Sequence, residues 1–113
     1  MTERVEVLIS QLADPQREDH EDIVRELQRL RPAGAEEALY RAAHDRHPYL
    51  EYDEFRGLAR KSTWALADIG TPDARACLER LAAEPDPLVA GYAQKRLDNW
   101  ESESHRKAGP KAN

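Results

Sequence analysis

Apolar side chains recur along this chain at intervals of three and four residues, the spacing that places them on one face of an α-helix. Six segments show this pattern, and stretches that contain Gly or Pro separate them. No segment shows the alternation typical of a strand, so we predict an all-α protein of about six helices. The apolar segments are Val5–Leu12, Ile23–Leu30, Ala35–Ala43, Phe55–Ile69, Ala74–Leu81 and Val89–Trp100.

Residues that start or stop helices set the expected boundaries. Thr2 is a candidate N-cap of the first helix, and Asp14-Pro15 ends it. The third helix is predicted over residues 35–46, followed by the loop His47–Asp53. The fourth helix has the strongest periodicity, and Gly70-Thr71-Pro72 ends it and begins the fifth.

The second half of the chain repeats the apolar pattern of the first half at an offset of 39 residues. A period near 40 residues with two helices in each unit is the length of a HEAT or armadillo repeat. The aligned pairs are Leu27 with Leu66, Leu30 with Ile69, Ala35 with Ala74, Ala38 with Cys77, Leu39 with Leu78 and Ala42 with Leu81.

Residues 65–97 resemble a bacterial HEAT-like repeat of the phycocyanobilin-lyase type. The segment departs from the family pattern at Ala90, where an Arg commonly follows the Val. The second unit matches moderately and has a longer loop at 44–53, whereas the first matches only in its helical pattern. The matching positions are Leu66, Ile69, Gly70, Pro72, Ala74, Leu78, Leu81, Asp86, Pro87, Val89, Ala93 and Leu97.

The resemblance implies a short right-handed α-solenoid of three HEAT-like helical hairpins. Its units would cover about residues 2–31, 34–69 and 72–100, within one domain over residues 1–100. The remaining residues, 101–113, have no apolar periodicity, and we predict a disordered tail. Trp100 is expected to cover the open end of the stack.

Composition narrows the classes of function. The chain has 113 residues, with 17 basic and 22 acidic side chains and a net charge of -5. This charge argues against a general binder of nucleic acids or anionic membranes, and no apolar run approaches the length of a membrane span. A single cysteine and the lack of a signal-peptide pattern at the start lead us to expect a cytoplasmic protein.

Candidate catalytic and metal-binding groups are sparse. His20-Glu21 resembles the recurring His-Glu dipeptide of HEAT-type di-iron hydroxylases, but the corresponding place in the next unit holds the cations Arg60 and Lys61. His44 and His47 lie three residues apart near carboxylates, without a third imidazole. We therefore expect no metal and no cofactor.

Nucleophiles do not change this expectation. Cys77 lies on an apolar stripe and aligns with Ala38, so we interpret it as a core residue. Ser62 and Thr63 have no neighbouring His to act as a base. We expect a protein that is not an enzyme, with a lyase subunit or metal-dependent enzyme kept as an alternative.

The fourth helix carries an aromatic residue on its polar side. On a helical wheel Trp64 lies nearly opposite the apolar stripe, close to Asp53, Arg56 and Arg60. An exposed Trp flanked by Arg is typical of a binding hot spot. The alternative is that Trp64 packs sideways against a neighbouring repeat.

The second helices of HEAT units line the concave side, so the resemblance implies that further cations surround Trp64 there. We predict an adaptor or inhibitor-type module that binds an acidic protein. The alternatives are nucleic-acid binding by this basic face, charges that merely alternate over a soluble surface, and self-association into a homo-oligomer. The predicted partner-binding residues are Trp64, Arg60, Arg56, Lys61, Arg25, Arg29, Lys95 and Asp53.

Overall fold

Helices account for every regular element of the computed structural model, which describes residues 3–53 and 56–101. Within these ranges the chain is all-helical, as predicted, and no strand occurs. None of the helices found there is long and apolar enough to cross a membrane. The elements are α1 (Glu3–Leu12), α2 (His20–Leu30), α3 (Glu36–Ala42), a 3-10 helix (Pro48–Asp53), α4 (Arg56–Ile69), α5 (Pro72–Ala82) and α6 (Pro87–Asp98).

The largest departure from the predicted helices lies between α3 and α4. The third helix ends at Ala42 instead of residue 46, and the predicted loop contains the 3-10 helix. Leu50 explains the difference, because its side chain is buried in the core and its N–H donates to the His47 carbonyl at 2.8 Å. Thr2, Phe55 and the tail from residue 102 onward lie outside the described residues.

Capping side chains fix the starts of α5 and α6. The Thr71 hydroxyl accepts the N–H of Ala74 at 3.1 Å, and the Asp86 carboxylate accepts the N–H of Leu88 at 2.9 Å. Each cap is followed by a proline in the first turn, whose missing N–H costs nothing there. Gly70 lies directly after α4 with φ 71°, a left-handed conformation that glycine adopts without strain.

The helices pack in pairs around α4. Consecutive helices contact each other as α1 with α2, α3 with α4, and α5 with α6. Helix α4 also contacts α2 on one side and α6 on the other, while α3 contacts both α1 and α5. The apolar stripes predicted from the sequence meet inside this arrangement, and their burial is the main favourable term in folding.

Polar bonds join α4 to α2 at the edge of this core. The amide of Gln28 donates to the Asp68 carboxylate at 2.9 Å. Near the other end, the Lys61 ammonium lies 3.6 Å from a Glu21 carboxylate oxygen. These contacts fix the position of α4, the helix that carries Trp64.

Candidate functional site

The outward face of α4 carries the aromatic side chain singled out in the sequence. Arg60 is exposed, and Lys61 and Trp64 are half-buried, whereas Leu58 and Leu66 are fully in the core. The helical wheel therefore places Trp64 on the correct side of α4. The remaining burial of Trp64 comes from the neighbouring helix.

Arg96 of α6 supplies that burial. Its guanidinium carbon lies 3.5 Å from the centroid of the Trp64 ring, within the range of a cation–π contact. Only 4% of Arg96 is exposed, so this positive charge is held against the indole away from water. Trp64 thus packs sideways against α6, the alternative raised by the sequence, and still reaches the surface.

Trp64 lies in a cleft between α4 and α6 with a volume of about 220 Å³. Two of the lining residues are aromatic and three are cationic, and none carries a carboxylate. This composition suits a binding partner that presents an acidic group next to an apolar or planar one. The residues that line the cleft are Arg60, Thr63, Trp64, Tyr92, Lys95 and Arg96.

Ion pairs separate the predicted cations into two groups. Four of them have carboxylate partners on the same or a neighbouring helix, which satisfies much of their charge locally. The pairs are Arg25 with Asp22 at 3.3 Å, Arg29 with Glu26 at 2.5 Å, Arg56 with Asp86 at 4.0 Å and Lys61 with Glu21 at 3.6 Å.

The other two predicted cations, Arg60 and Lys95, flank Trp64 in the cleft. Both are exposed, and neither forms an ion pair with any residue in the described ranges. The structure therefore brings together Trp64, Arg60 and Lys95 and adds Tyr92 and Arg96 to them. A positive charge without a partner beside an aromatic ring can still gain energy from an incoming anion.

Arg25 and Arg29 lie in a different place. They line a separate groove of about 570 Å³ together with Gln28, Arg31 and Asp68, where a carboxylate already accompanies the cations. Of the six predicted cations, Arg60 and Lys95 thus line the α4–α6 cleft and Arg25 and Arg29 line this groove, whereas Arg56 lines a third pocket next to Asp86 and Lys61 pairs with Glu21. Unlike the groove, the α4–α6 cleft combines cations with aromatic side chains.

Asp53 supports the start of α4. Its Oδ2 accepts the N–H of Gly57 at 3.0 Å. A Cβ atom added to Gly57 would lie 2.4 Å from that oxygen and 2.7 Å from Oε2 of Glu21. Two carboxylates thus approach the backbone where Gly57 leaves space, and Asp53 is not among the residues that line the cleft.

The candidate metal-binding and nucleophilic groups do not form one site within the described residues. No cluster of three or more His, Cys, Asp or Glu suited to a metal ion occurs within residues 3–53 and 56–101. His44 contacts Glu84 of the α5–α6 turn, whereas His47 stacks on His20. Cys77 is buried, and desolvation raises the pKa of its thiol, which disfavours the reactive thiolate.

Thr63, Tyr92 and Arg96 are the cleft residues that the sequence analysis did not select for binding. A signal for Arg96 was present, because it follows the buried Ala93 by three residues and therefore lies on the inner side of α6. A buried Arg needs a partner, and Trp64 on the adjacent helix supplies a flat one. Tyr92 gave no comparable signal.

Comparison of the chain with protein-family models, with curated proteins and with solved structures found no match.

Proposed function

We propose that this protein is a cytoplasmic protein-interaction module that binds an acidic partner through the cleft between α4 and α6. The observation that carries the proposal is the pair of exposed cations, Arg60 and Lys95, that line the same cleft as Trp64. Neither has an ion-pair partner in the part of the chain that the structure describes, whereas Arg25 pairs with Asp22 and Arg56 with Asp86. A complementary carboxylate would complete this site.

The aromatic ring gives the cleft its expected affinity. Trp64 is held in place by Arg96, so it loses little conformational freedom when a partner covers it. Partner carboxylates would pair with Arg60 and Lys95, and an adjacent apolar side chain would exclude water from the indole. A volume of about 220 Å³ is enough for one or two partner side chains.

We also propose that the helices form three HEAT-like hairpins in a right-handed solenoid. In support, positions 39 residues apart share their environment: Ala35 and Ala74 are fully buried, as are Leu39 and Leu78. The pairing of α2 with α4 and of α4 with α6 is what a stack of hairpins requires. The α4–α6 cleft would then lie on the side lined by second helices.

The first helices of the second and third proposed units, α3 and α5, are also linked at their starts, as expected in a stack. The hydroxyl of Thr71, which caps α5, donates to Oε2 of Glu36 at 2.7 Å. The other carboxylate oxygen of Glu36 accepts the N–H of Gly34 at 2.7 Å at the start of α3. One carboxylate therefore joins equivalent points of the second and third proposed units.

The test is affinity capture from a nuclease-treated lysate of the source organism with three forms of the chain. These are the wild type, a Trp64→Ala/Arg60→Glu variant, and Arg41→Glu as a charge-matched control on α3. Arg41 is exposed and pairs with Glu37 of its own helix, outside the cleft. Circular dichroism first shows that all three forms are equally folded.

The proposal expects an acidic protein in stoichiometric amount with the wild type and the control, and its loss with the cleft variant. Capture of the same protein by all three forms would place the interface elsewhere and contradict the proposal. Recovery from a parallel untreated lysate that is lost from the nuclease-treated one, with a steep dependence on salt, would instead identify a nucleic-acid binder.

A further inference from the structure

Two buried histidines stack face to face far from the α4–α6 cleft. The rings of His20 and His47 have centroids 3.7 Å apart and planes within 5° of parallel. His20 is the first residue of α2 and is 0% exposed, and His47, just before the 3-10 helix, is 8% exposed. The stack therefore joins the connection between α3 and α4 to the start of α2.

Hydrogen bonds hold both ring nitrogens of His20. Its Nε2 lies 2.8 Å from the carbonyl of Asp14, which can only accept, so Nε2 carries the hydrogen. The hydroxyl of Tyr49 accepts the backbone N–H of His20 at 2.8 Å and lies 2.8 Å from Nδ1 of the same residue. Both ring nitrogens of this buried side chain therefore have hydrogen-bond partners.

His47 has a different environment. Its Nε2 is buried and has no hydrogen-bond partner in the described residues, although a carboxylate oxygen of Asp45 lies 3.6 Å away. Burial and then the neighbouring His20 lower the pKa of His47, and Asp45 opposes them. Burial raises the pKa of Tyr49, so its hydroxyl keeps its hydrogen.

Charged groups from the adjoining elements also face this region. Arg17 and Asp19, in the turn before α2, form an ion pair at 2.7 Å and so largely neutralise each other. Glu18, Asp19 and Glu21 act on Tyr49 through their charges. Lys61 of α4 pairs with Glu21. Asp45 lies 3.6 Å from Nε2 of His47, and Asp19 interacts with His20 through its charge.

We propose that the His20–His47 stack is a proton-sensitive latch, which holds the α3–α4 connection against α2 at neutral pH and opens when the pair takes up a proton. A proton on His47 creates a charge in a buried, stacked ring. That charge weakens the closed form, while the solvated, open form accepts the proton readily.

The direction of the pH dependence follows from linkage. In the open form the His47 imidazole titrates near its ordinary pKa of about 6.5, whereas burial lowers the pKa of His47 in the closed form. The closed form is therefore fully stable above about pH 6.5 and loses stability as the pH falls below it. For one proton, the open-to-closed ratio rises about tenfold per pH unit until the lower pKa of the closed form is reached.

Amide hydrogen exchange measures the latch directly, because two amides belong to it. The N–H of His20 donates to the Tyr49 hydroxyl, and the N–H of Leu50 donates to the His47 carbonyl. Their protection factors are compared between about pH 7.5 and about pH 5.5 with those of Leu27 and Leu66 amides inside helices. We expect about a tenfold loss of protection at His20 and Leu50 and none at the control amides.

A variant pair separates the latch from general acid sensitivity. His47→Phe keeps a flat ring against His20 but cannot be protonated, and it sacrifices no hydrogen bond at Nε2. It should reduce the pH step at the His20 amide to less than half. His44→Phe, at an exposed histidine, should leave the step unchanged.

Two results would overturn the proposal. One is protection at His20 and Leu50 that changes less than twofold over this pH range in the wild type. The other is an NMR titration in which His47 protonates at its ordinary pKa while both amides stay protected. The wild-type measurements decide the matter even where His47→Phe does not fold.

Discussion

The central carbon of the Arg96 guanidinium lies over the Trp64 ring, 3.5 Å from its centroid, and only 4% of Arg96 is exposed. This contact joins α6 to α4 and forms one wall of the α4–α6 cleft. Because the charge is desolvated, the cation–π attraction is stronger here than at a surface. The same contact therefore serves stability and shapes the proposed binding site.

Truncation of Arg96 tests that stabilising role. Arg96→Ala should lower the free energy of unfolding by about 2 kcal/mol, since it removes a buried cation–π contact and leaves unfilled volume. The matched control is Arg75→Ala, because Arg75 lies 5.3 Å from the centroid of Trp100 and is more exposed. Its loss should cost less than about 1 kcal/mol.

Urea unfolding followed by circular dichroism measures both values. Equal effects of the two substitutions would show that the Arg96 contact adds nothing beyond a surface pair.

The charge of Arg60 and the aromatic ring of Trp64 should affect different rate constants of binding. Arg60→Glu should mainly slow association with the acidic partner, because exposed charges steer the encounter. Trp64→Ala should mainly speed dissociation, by about tenfold or more, because it removes buried contact area. Arg25→Glu, at a cation already paired with Asp22, should change each rate less than Arg60→Glu does.

Surface plasmon resonance with the captured partner gives the two rate constants. An Arg25→Glu effect as large as that of Arg60→Glu would contradict a site centred on the cleft.

Substitution by alanine should affect the free energy of unfolding differently at Gly91 and at Gly57. At Gly91 of α6 an added Cβ meets nothing within 4 Å, so Gly91→Ala should raise the free energy of unfolding by about 0.5–1 kcal/mol. At Gly57 the added Cβ would lie 2.4 Å from Asp53 and 2.7 Å from Glu21. Gly57→Ala should therefore show no such increase in the free energy of unfolding, because the carboxylates must move and the hydrogen bond from the Gly57 amide weakens.

Thermal unfolding of the two variants gives the comparison. A higher melting temperature for Gly57→Ala than for Gly91→Ala would contradict the close approach of the carboxylates.

The Glu26 carboxylate predicts a pH effect at the α1–α2 contact. Hydrogen bonds from Arg29 and then Arg4 lower its pKa from 4.5 to about 2. A lowered carboxyl pKa means that this contribution to stability is present above about pH 4.5 and is lost as the pH falls toward 2. Arg4→Ala should raise the pKa of Glu26 part of the way, since Arg29 remains.

Carbon-13 NMR of the Glu26 carboxyl follows this titration. Arg25→Ala is the control, because Arg25 pairs with Asp22, and it should leave the Glu26 midpoint in place. An unchanged midpoint in Arg4→Ala would show that α1 contributes nothing to this carboxylate.

Much of the fold follows from apolar spacing and helix-stop residues. The periodicity predicted the α-helices because each must bury one stripe, and Gly70 and Pro72 marked a real boundary. The spacing could not predict the early end of α3, since Leu50 reaches the core from a segment with no helical period. Burial of one side chain there decided the local backbone.

The site was predicted only in part, because its geometry depends on contacts between helices. A helical wheel uses the sequence of α4 alone, and it is enough to predict that Arg60 and Trp64 face outward. It cannot show that Lys61 meets Glu21 of α2, or that Arg96 meets Trp64, because these pairs depend on how the helices are positioned against each other. Of the six cations that looked equivalent in the sequence, four therefore have carboxylate partners in the structure, and Arg60 and Lys95 have none among the described residues.

The most direct test of the proposed cleft is an NMR titration of the two indole N–H signals with a short Asp- and Glu-rich peptide. The chain has two tryptophans, so Trp100 serves as an internal control for Trp64. We expect the Trp64 signal to shift on addition of the peptide, to shift less in high salt, and to stay in place in Arg60→Gln/Lys95→Gln. An unmoved Trp64 signal, or equal shifts of Trp64 and Trp100, would contradict an acidic-partner site between α4 and α6.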